Sequence, residues 1–272
     1  MRTTVSMIVA TMALAAGTVL AQAPPAGRGG GRPAAPSAQA AAGATTDPKK
    51  VIEAMQDNLG MLRGMNRVDA LNRVELWGTQ GTKAIGGRQV PLSNWKISLN
   101  FTMSGMRFDY THDGQRTIEV VSDKFAWNED VPGGKATPMP AALAERQIFY
   151  VLTPVGFAKT AKANEATAKV AVTGGVTTIT FNAVGATFTA TLNKYMLPEK
   201  IEARQGTNVT TVAYSEYGEW NDDAKADVYL PKRMVVTQNG QTSLDLTLVH
   251  TNTYNPYVIM PVPENVRGAR TN

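Results

Sequence analysis

The feature that most constrains this chain is a run in which apolar and polar residues alternate one by one. In Trp95–Met103 the apolar and the polar side chains would fall on opposite faces of an extended strand. The same period of two appears in segments 106–110, 186–192 and 244–248, and turn dipeptides such as Asn239-Gly240 separate the segments. Because buried parallel strands read as continuous apolar runs, this pattern predicts a mainly β (α+β) domain with a single strongly curved antiparallel sheet.

Two segments have a helical period instead. Thr46 or Asp47 can cap a first helix and Pro48 suits its first position. Its apolar residues recur at helical spacing before Gly64: Val51, Ile52, Met55, Leu59 and Leu62. A second helical segment is predicted over 140–159, where Pro154 should kink or end the helix. Its apolar residues fall near one face: Leu143, Ile148, Val151, Leu152 and Val155. Both helices need an apolar surface to lie on, so they are expected to cover the sheet.

Composition divides the 272 residues into three parts. Residues 1–21 are typical of a secretory signal peptide, with Arg2 at the start, an apolar stretch and small residues before a cleavage site. Residues 22–46 contain nine Ala, five Gly and four Pro and no large aliphatic residue, which predicts a disordered linker. Residues 47–272 have a uniform composition, without a second segment like the linker, and are expected to form one domain. The sequence therefore predicts a periplasmic or extracellular protein.

Charge and cysteine content exclude several classes. The net charge of +5 includes three arginines that precede residue 47, so the domain itself holds 24 basic and 22 acidic side chains. A domain with so small a net positive charge does not indicate a nucleic-acid-binding protein. The chain has no cysteine, which excludes disulfides, thiolate zinc sites and a cysteine nucleophile, and predicts a soluble protein without an acylated cysteine.

The residues offer little catalytic chemistry. His112 adjoins a predicted hairpin turn, and His250 is expected to be a hydrogen-bonded residue at the edge of the core. The carboxylates of 128–130 and 221–227 lack the spacing of a calcium loop and are expected to be solvated turns. Hydrolase, zinc-protease and nucleotide-binding motifs are absent from the sequence. We therefore expect no enzyme activity, no catalytic residues, no cofactor and no metal. The opposite hypothesis, an enzyme, would require titratable groups that converge in a cavity, for instance a carboxylate near His250.

Several short motifs resemble a known superfamily. They are Met106-Arg107-Phe108-Asp109-Tyr110, Asp113-Gly114-Gln115, Val121-Ser122-Asp123-Lys124, Phe125-Ala126-Trp127, Leu197-Pro198-Glu199-Lys200-Ile201, Val228-Tyr229-Leu230-Pro231 and Met260-Pro261-Val262-Pro263-Glu264. In this order they are similar to the periplasmic outer-membrane lipoprotein carrier superfamily, the lipoprotein-localisation factors. The resemblance implies an unclosed half-barrel whose concave apolar face is covered by helices and accommodates acyl chains.

These observations lead to a hypothesis about the ligand. A curved sheet covered by two helical segments encloses volume that a hydrophobic ligand could fill. The candidate cavity lining is Trp95, Ile97, Leu99, Phe101, Met103, Phe108, Tyr110, Phe125 and Trp127, and the candidate lid residues are Leu143, Ile148, Val151, Leu152 and Val155. The period alone leaves open which face of Trp95–Met103 is concave.

Two functions remain open at this point. The first is binding of a lipid or lipoprotein acyl chain, for transport across the periplasm. The second is an envelope interaction or lipid-sensing module that docks a membrane-protein partner through a free strand edge or its basic linker.

Overall fold

The computed structural model describes residues 45–220 and 228–269. The predicted signal peptide and most of the predicted linker, residues 1–44, lie outside the described residues. The helices are α1 (Pro48–Asn58), α2 (Leu143–Val151), α3 (Pro154–Ala163) and α4 (Glu264–Gly268), and a 3-10 turn at Pro140–Ala142 precedes α2. The strands are β1 (Leu62–Arg63), β2 (Val68–Asp69), β3 (Arg73–Gly78), β4 (Gln80–Ile85), β5 (Arg88–Leu92), β6 (Asn94–Asn100), β7 (Gly105–His112), β8 (Gln115–Ser122), β9 (Phe125–Glu129), β10 (Ala136–Pro138), β11 (Lys169–Thr173), β12 (Val176–Ala183), β13 (Ala186–Leu192), β14 (Pro198–Gln205), β15 (Asn208–Trp220), β16 (Val228–Gln238), β17 (Gln241–Thr247) and β18 (His250–Asn252).

The strands form two large antiparallel sheets and one small hairpin. The seven-stranded sheet has the order β10-β9-β8-β7-β6-β3-β18, and the nine-stranded sheet has the order β11-β12-β13-β14-β15-β16-β17-β4-β5. Strands β1 and β2 pair with each other. Both large sheets end in edge strands and are not closed into a barrel. The predicted mainly β, antiparallel and unclosed fold is therefore confirmed.

The single curved sheet of the prediction is bent into these two sheets. Three links of one or two residues pass from one sheet directly to the other, across Thr79, across Ser93 and across residues 248–249. The backbone N–H groups of Ser93 and Val249 donate to Thr111 and Trp77 at 3.0 and 2.9 Å, so ladder bonding continues through two of these bends. The inner faces of the two sheets thus share one concave space.

Helix α1 forms where the sequence predicted it, for the predicted reason. The Asp47 side chain accepts a hydrogen bond from the Lys49 backbone N–H, and Pro48 occupies the first turn. The helix ends at Asn58, because Gly60 takes a φ of 75° that turns the chain away. Leu62, which was expected on the helix, lies in β1 instead.

The second helical segment consists of two helices. Helix α2 ends at Val151, and the Thr153 side chain then accepts a hydrogen bond from the Gly156 N–H and caps α3. Pro154 occupies the first turn of α3, where its missing N–H costs no hydrogen bond. The expectation that the helix would kink or end at Pro154 is confirmed.

The inner face of the seven-stranded sheet carries the aromatic and aliphatic residues of β6 and β7. Ile97 lies opposite Phe108, and Trp95 lies opposite Tyr110. These residues join one buried cluster with side chains of α1, α2, α3 and the nine-stranded sheet. Helix side chains such as those of Met55 therefore occupy much of the concave space.

The outer face of the same sheet is also covered. Trp127 packs in a second buried cluster with Val258 and Met260 of the C-terminal segment. The Asn100 side-chain amide donates to the Val258 carbonyl oxygen at 2.7 Å, and Ser98 donates to Glu75 at 3.1 Å. The polar residues Ser98 and Asn100 of Trp95–Met103 are therefore buried in hydrogen bonds, because the C-terminal segment returns over this face.

Candidate functional site

A cavity of about 330 Å³ lies between α2 and the inner faces of both sheets. We call it the inner cavity. Its apolar lining comes from Ala84, Ile85, Met106, Phe108, Ala142, Ile148, Phe149, Val236 and Leu244. Its polar lining comes from Lys83, Tyr110, Glu119, Glu145, Arg146, Thr210, Gln238 and Ser243. The cavity has an apolar wall and a group of ionic side chains, as an amphiphilic ligand requires.

The ionic group centres on Glu119 of β8. Its carboxylate accepts a hydrogen bond of 2.7 Å from the Tyr110 hydroxyl, and the Lys83 ammonium lies 3.4 Å from each of its oxygens. Burial, and then the neighbouring Glu119 carboxylate, raise the pKa of Tyr110. Tyr110 therefore stays a neutral hydrogen-bond donor that holds the carboxylate in place.

Arg146 fixes α2 to the strands beneath it. Its Nη1 donates to the carbonyl oxygens of Val120 and Trp127 at 3.0 and 2.7 Å, and its Nη2 donates to Asn128 Oδ1 at 2.6 Å. The side chain is buried, and this burial lowers the pKa of Arg146. The guanidinium joins the helix to β8 and β9 through neutral acceptors.

A second cavity, of about 300 Å³, lies at the opposite side of α2 and is called the lateral cavity. Its lining is Phe101, Ser104, Val121, Asp123, Gln147, Tyr150, Val151, Lys159, Thr160, Ala163 and Val184. The Lys159 ammonium lies 5.0 Å from the centre of the Phe101 ring and pairs with Asp69 of β2. Met106 of the inner cavity pairs in register with Val121 of the lateral cavity, so the two cavities adjoin.

A third cavity, of about 350 Å³, lies outside the concave space. We call it the outer cavity. Its lining is Lys124, Phe125, Ala126, Pro138, Pro140, Leu143, Val266 and Ala269. Because α4 and the 3-10 turn contribute to it, it belongs to the covered outer face of the seven-stranded sheet.

The structure separates the nine predicted lining residues into three groups. Phe108 and Tyr110 line the inner cavity, and Phe101 lines the lateral cavity. Three residues are buried in the main core with the helices: Trp95, Ile97 and Leu99. Three others belong to the outer cluster: Met103, Phe125 and Trp127. The outer three face away from the concave space, because β9 contributes Trp127 to the face that the C-terminal segment covers.

The predicted lid residues are similarly divided. Ile148 lines the inner cavity, Val151 the lateral cavity and Leu143 the outer cavity. Leu152 and Val155 are buried in the main core, where α2 meets α3. The helix thus contacts all three cavities along its length.

The other polar residues considered as candidates are the two histidines and the two carboxylate clusters. His250 is exposed on β18 and packs edge-on against Trp77, with ring centres 4.4 Å apart. His112 ends β7 beside Asp113, as the turn prediction required. Glu129, expected in a solvated turn, is buried and paired with Arg107 at 3.0 Å, so that expectation is wrong for it. The second carboxylate cluster, residues 221–227, lies outside the described residues.

Two absences hold for residues 45–220 and 228–269. Within these ranges, His, Asp and Glu residues form no group of three or more that could hold a metal ion. In the same ranges, no helix has the length and apolar content needed to cross a membrane.

Sequence reasoning missed most of the inner cavity. Lys83, Glu119 and Arg146 lie on three elements that are far apart in sequence, and Glu119 and Lys83 occupy strands of different sheets. The alternation of 244–248 did mark the inner face of β17, and Leu244 lines the cavity. An inward lysine or glutamate has no local sequence signal that would separate it from a solvated one.

Fold comparison finds similar solved structures. A LolA superfamily protein from Nitrosomonas europaea is 11% identical, with 78% of this chain and 95% of that chain covered and a TM-score of 0.47. An uncharacterized conserved protein from Thermus thermophilus is 10% identical, with 80% and 95% covered and a TM-score of 0.32. The lipoprotein LppX from Mycobacterium tuberculosis is 11% identical, with 74% and 94% covered and a TM-score of 0.27.

No protein-family model matches the chain, and no curated protein matches it. The first solved structure belongs to the superfamily that the sequence motifs resemble. At 10–11% identity and TM-scores below 0.5, the function of this chain has to be argued from its own residues.

Proposed function

We propose that this chain is an exported, non-enzymatic protein that binds the acyl chain of a lipid or lipoprotein in the inner cavity. The observation that carries the proposal is the cavity between α2 and the two sheets, which has an apolar wall and ionic residues at one part of it. Its volume of about 330 Å³ falls within the range of roughly 300–1,000 Å³ that is typical of small-molecule sites. Each buried methylene group contributes about 0.8 kcal/mol to affinity.

Export and transport complete the proposal. The signal-like composition of residues 1–21 supports export, and a cavity that shields an apolar chain from water supports carriage across an aqueous compartment. Helix α2 contacts all three cavities, so its displacement would admit a longer chain. We therefore assign α2 the role of the lid.

The direct test is mass spectrometry of organic extracts of the purified native protein. We expect an amphiphile with an acyl chain at about one molecule per protein. Repeated preparations that contain no lipid, and that also bind no added fatty acid, would refute the proposal.

A pair of variants tests the location. Val236 is buried and lines the inner cavity, whereas its neighbour Val235 is half-buried on the other face of β16. Val236→Phe should fill the cavity and weaken binding of a fluorescent fatty acid by at least about tenfold, since it displaces several methylene groups. Val235→Phe is the matched control and should bind normally. Equal binding by both variants, with unchanged melting temperatures, would place the ligand elsewhere.

A second candidate function is docking of an envelope membrane protein. Four large apolar residues are exposed close together in sequence beside the edge strand β18: Val249, Tyr254, Tyr257 and Ile259. Edge strands accept an additional strand, and tyrosine is enriched at interfaces. Pull-down from envelope fractions with the wild type and with Tyr254→Ser/Tyr257→Ser tests it. A stoichiometric membrane protein, lost in the variant and independent of lipid, would favour docking.

A further inference from the structure

The ionic part of the inner cavity has the geometry of a cation-binding box. The Lys83 ammonium lies 5.3 Å from the centre of the Phe108 ring and 5.1 Å from the centre of the Tyr110 ring. The two ring centres are 4.8 Å apart, and their planes are tilted by 42°. With the Glu119 carboxylate at 3.4 Å, two aromatic faces and one negative charge surround a single ammonium group.

The walls of this box are held without Lys83. Phe108 and Tyr110 are both buried on β7, and the Tyr110 hydroxyl fixes Glu119 on the adjacent strand β8. Lys83 enters from β4 of the other sheet on a flexible side chain that is 21% exposed. The walls are therefore preorganised, whereas the occupant can swing out.

An anionic head group would find less to bind. Of the cations that line the inner cavity, Lys83 is neutralised by Glu119, and Arg146 directs both of its terminal nitrogens to protein oxygens. Binding an anion would bring it close to the Glu119 carboxylate and repel it. Binding a cation only exchanges one ammonium for another.

We propose that Phe108, Tyr110 and Glu119 form a subsite for the positively charged amine head of an amphiphile, which displaces Lys83. This inference rests on the proposed binding of an apolar chain in the inner cavity and adds the head-group class. The chain lies against the apolar wall, and the amine or quaternary ammonium takes the position of Lys83.

Three amphiphiles with the same chain test it: dodecyltrimethylammonium, dodecyl sulfate and dodecyl maltoside, each titrated as monomer into the delipidated full-length protein by calorimetry. We expect the ammonium compound to bind about tenfold more tightly than the other two, as desolvated cation–π contacts allow. Lys83→Met should increase that preference, because the box is vacant. Glu119→Gln should remove the preference, while its amide oxygen still accepts from Tyr110.

Two variants serve as matched controls. Lys124→Met removes a lysine that also lies over a ring, 5.8 Å from the centre of Phe125, but outside the concave space. Glu202→Gln removes a carboxylate of β14 that pairs with Arg204 at 2.8 Å and lines none of the three cavities. Neither should alter the head-group preference, and melting temperatures establish that all four variants are folded.

The possible results separate the two proposals. Equal binding of all three amphiphiles, unaffected by Lys83→Met, would overturn the head-group inference and leave chain binding intact. If dodecyl sulfate binds most tightly and Lys83→Met weakens its binding, the head-group inference is also overturned. Lys83 would then be a contact for an anion. Binding of none of the three would overturn the proposed function itself.

Discussion

Replacing Arg146 by methionine should destabilise the domain more than removing any exposed ion pair of the same sheet. The guanidinium is buried, and it donates to the carbonyl oxygens of Val120 and Trp127 and to the Asn128 side chain at 2.6–3.0 Å. Methionine fills a similar volume but offers no donor. The substitution therefore leaves three polar oxygens beneath α2 without this partner.

The magnitude follows from two opposing effects. Hydrogen bonds that involve a charged group contribute about 1.5–3 kcal/mol each to stability. Removing a buried cation also recovers its desolvation cost, and the lowered pKa of Arg146 shows that this cost is present. The difference leaves a loss of about 2–4 kcal/mol in the free energy of unfolding. For a domain of this size that loss corresponds to a drop of roughly 5–15 °C in melting temperature.

Arg116→Met is the matched control. Arg116 is an exposed arginine that makes a two-bond ion pair with Asp109, at 2.9 and 2.6 Å. The hydrogen bond that Arg116 donates to the Asp109 carboxylate raises the pKa of Arg116, yet an exposed pair of this kind contributes only about 0–1 kcal/mol.

The assay is urea unfolding followed by circular dichroism, at one pH and one salt concentration for both variants. The reasoning would be refuted if Arg146→Met lost less than about 0.5 kcal/mol, the range of an ordinary surface change. It would equally be refuted if Arg116→Met lost as much as Arg146→Met, because burial would then not decide the outcome.

Three further predictions concern stability. Val184→Asn should raise the free energy of unfolding by about 1 kcal/mol, measured from the urea midpoint, because a β-branched residue here adopts a φ of 42° that asparagine tolerates better. Gly156→Ala should lower it by at least about 2 kcal/mol in the same assay, because a Cβ would overlap the Tyr150 carbonyl oxygen where α2 meets α3. Burial raises the pKa of Tyr214 and Tyr217 well above 10. Since the unfolded tyrosines ionise near pH 10 and the folded ones do not, stability present below pH 10 should fall above it by up to about 1.4 kcal/mol per pH unit per tyrosine. Urea unfolding at stepped pH checks this, and Tyr214→Phe should reduce the slope.

Local patterns predicted the elements well. The Asp47 cap and Pro48 predicted the start of α1, and the alternation of Trp95–Met103 predicted β6, because both signals depend on backbone bonding and on one buried face within a few residues. Pro154 marked the change from α2 to α3 for the same reason. The antiparallel class followed from alternation combined with hairpin turns.

The candidate site was predicted only in part. Phe108 and Tyr110 do line the inner cavity, but Trp127 lies on the opposite face of its sheet. Period two separates two faces of a strand without stating which is concave, and here a distant C-terminal segment gives the second face its own apolar core. Polar residues such as Asn100 are buried by the same segment, which local pattern could not foresee.

By itself the sequence determined which segments become strands and helices and that the strands pair as antiparallel neighbours, because these properties are set by residues close together in the chain. Only the tertiary structure decided where the sheet bends, which face α2 covers and how much concave space its own side chains fill. It also brought Lys83 of one sheet to Phe108, Tyr110 and Glu119 of the other. Contacts between distant residues depend on how whole sheets pack, and no local period encodes that packing.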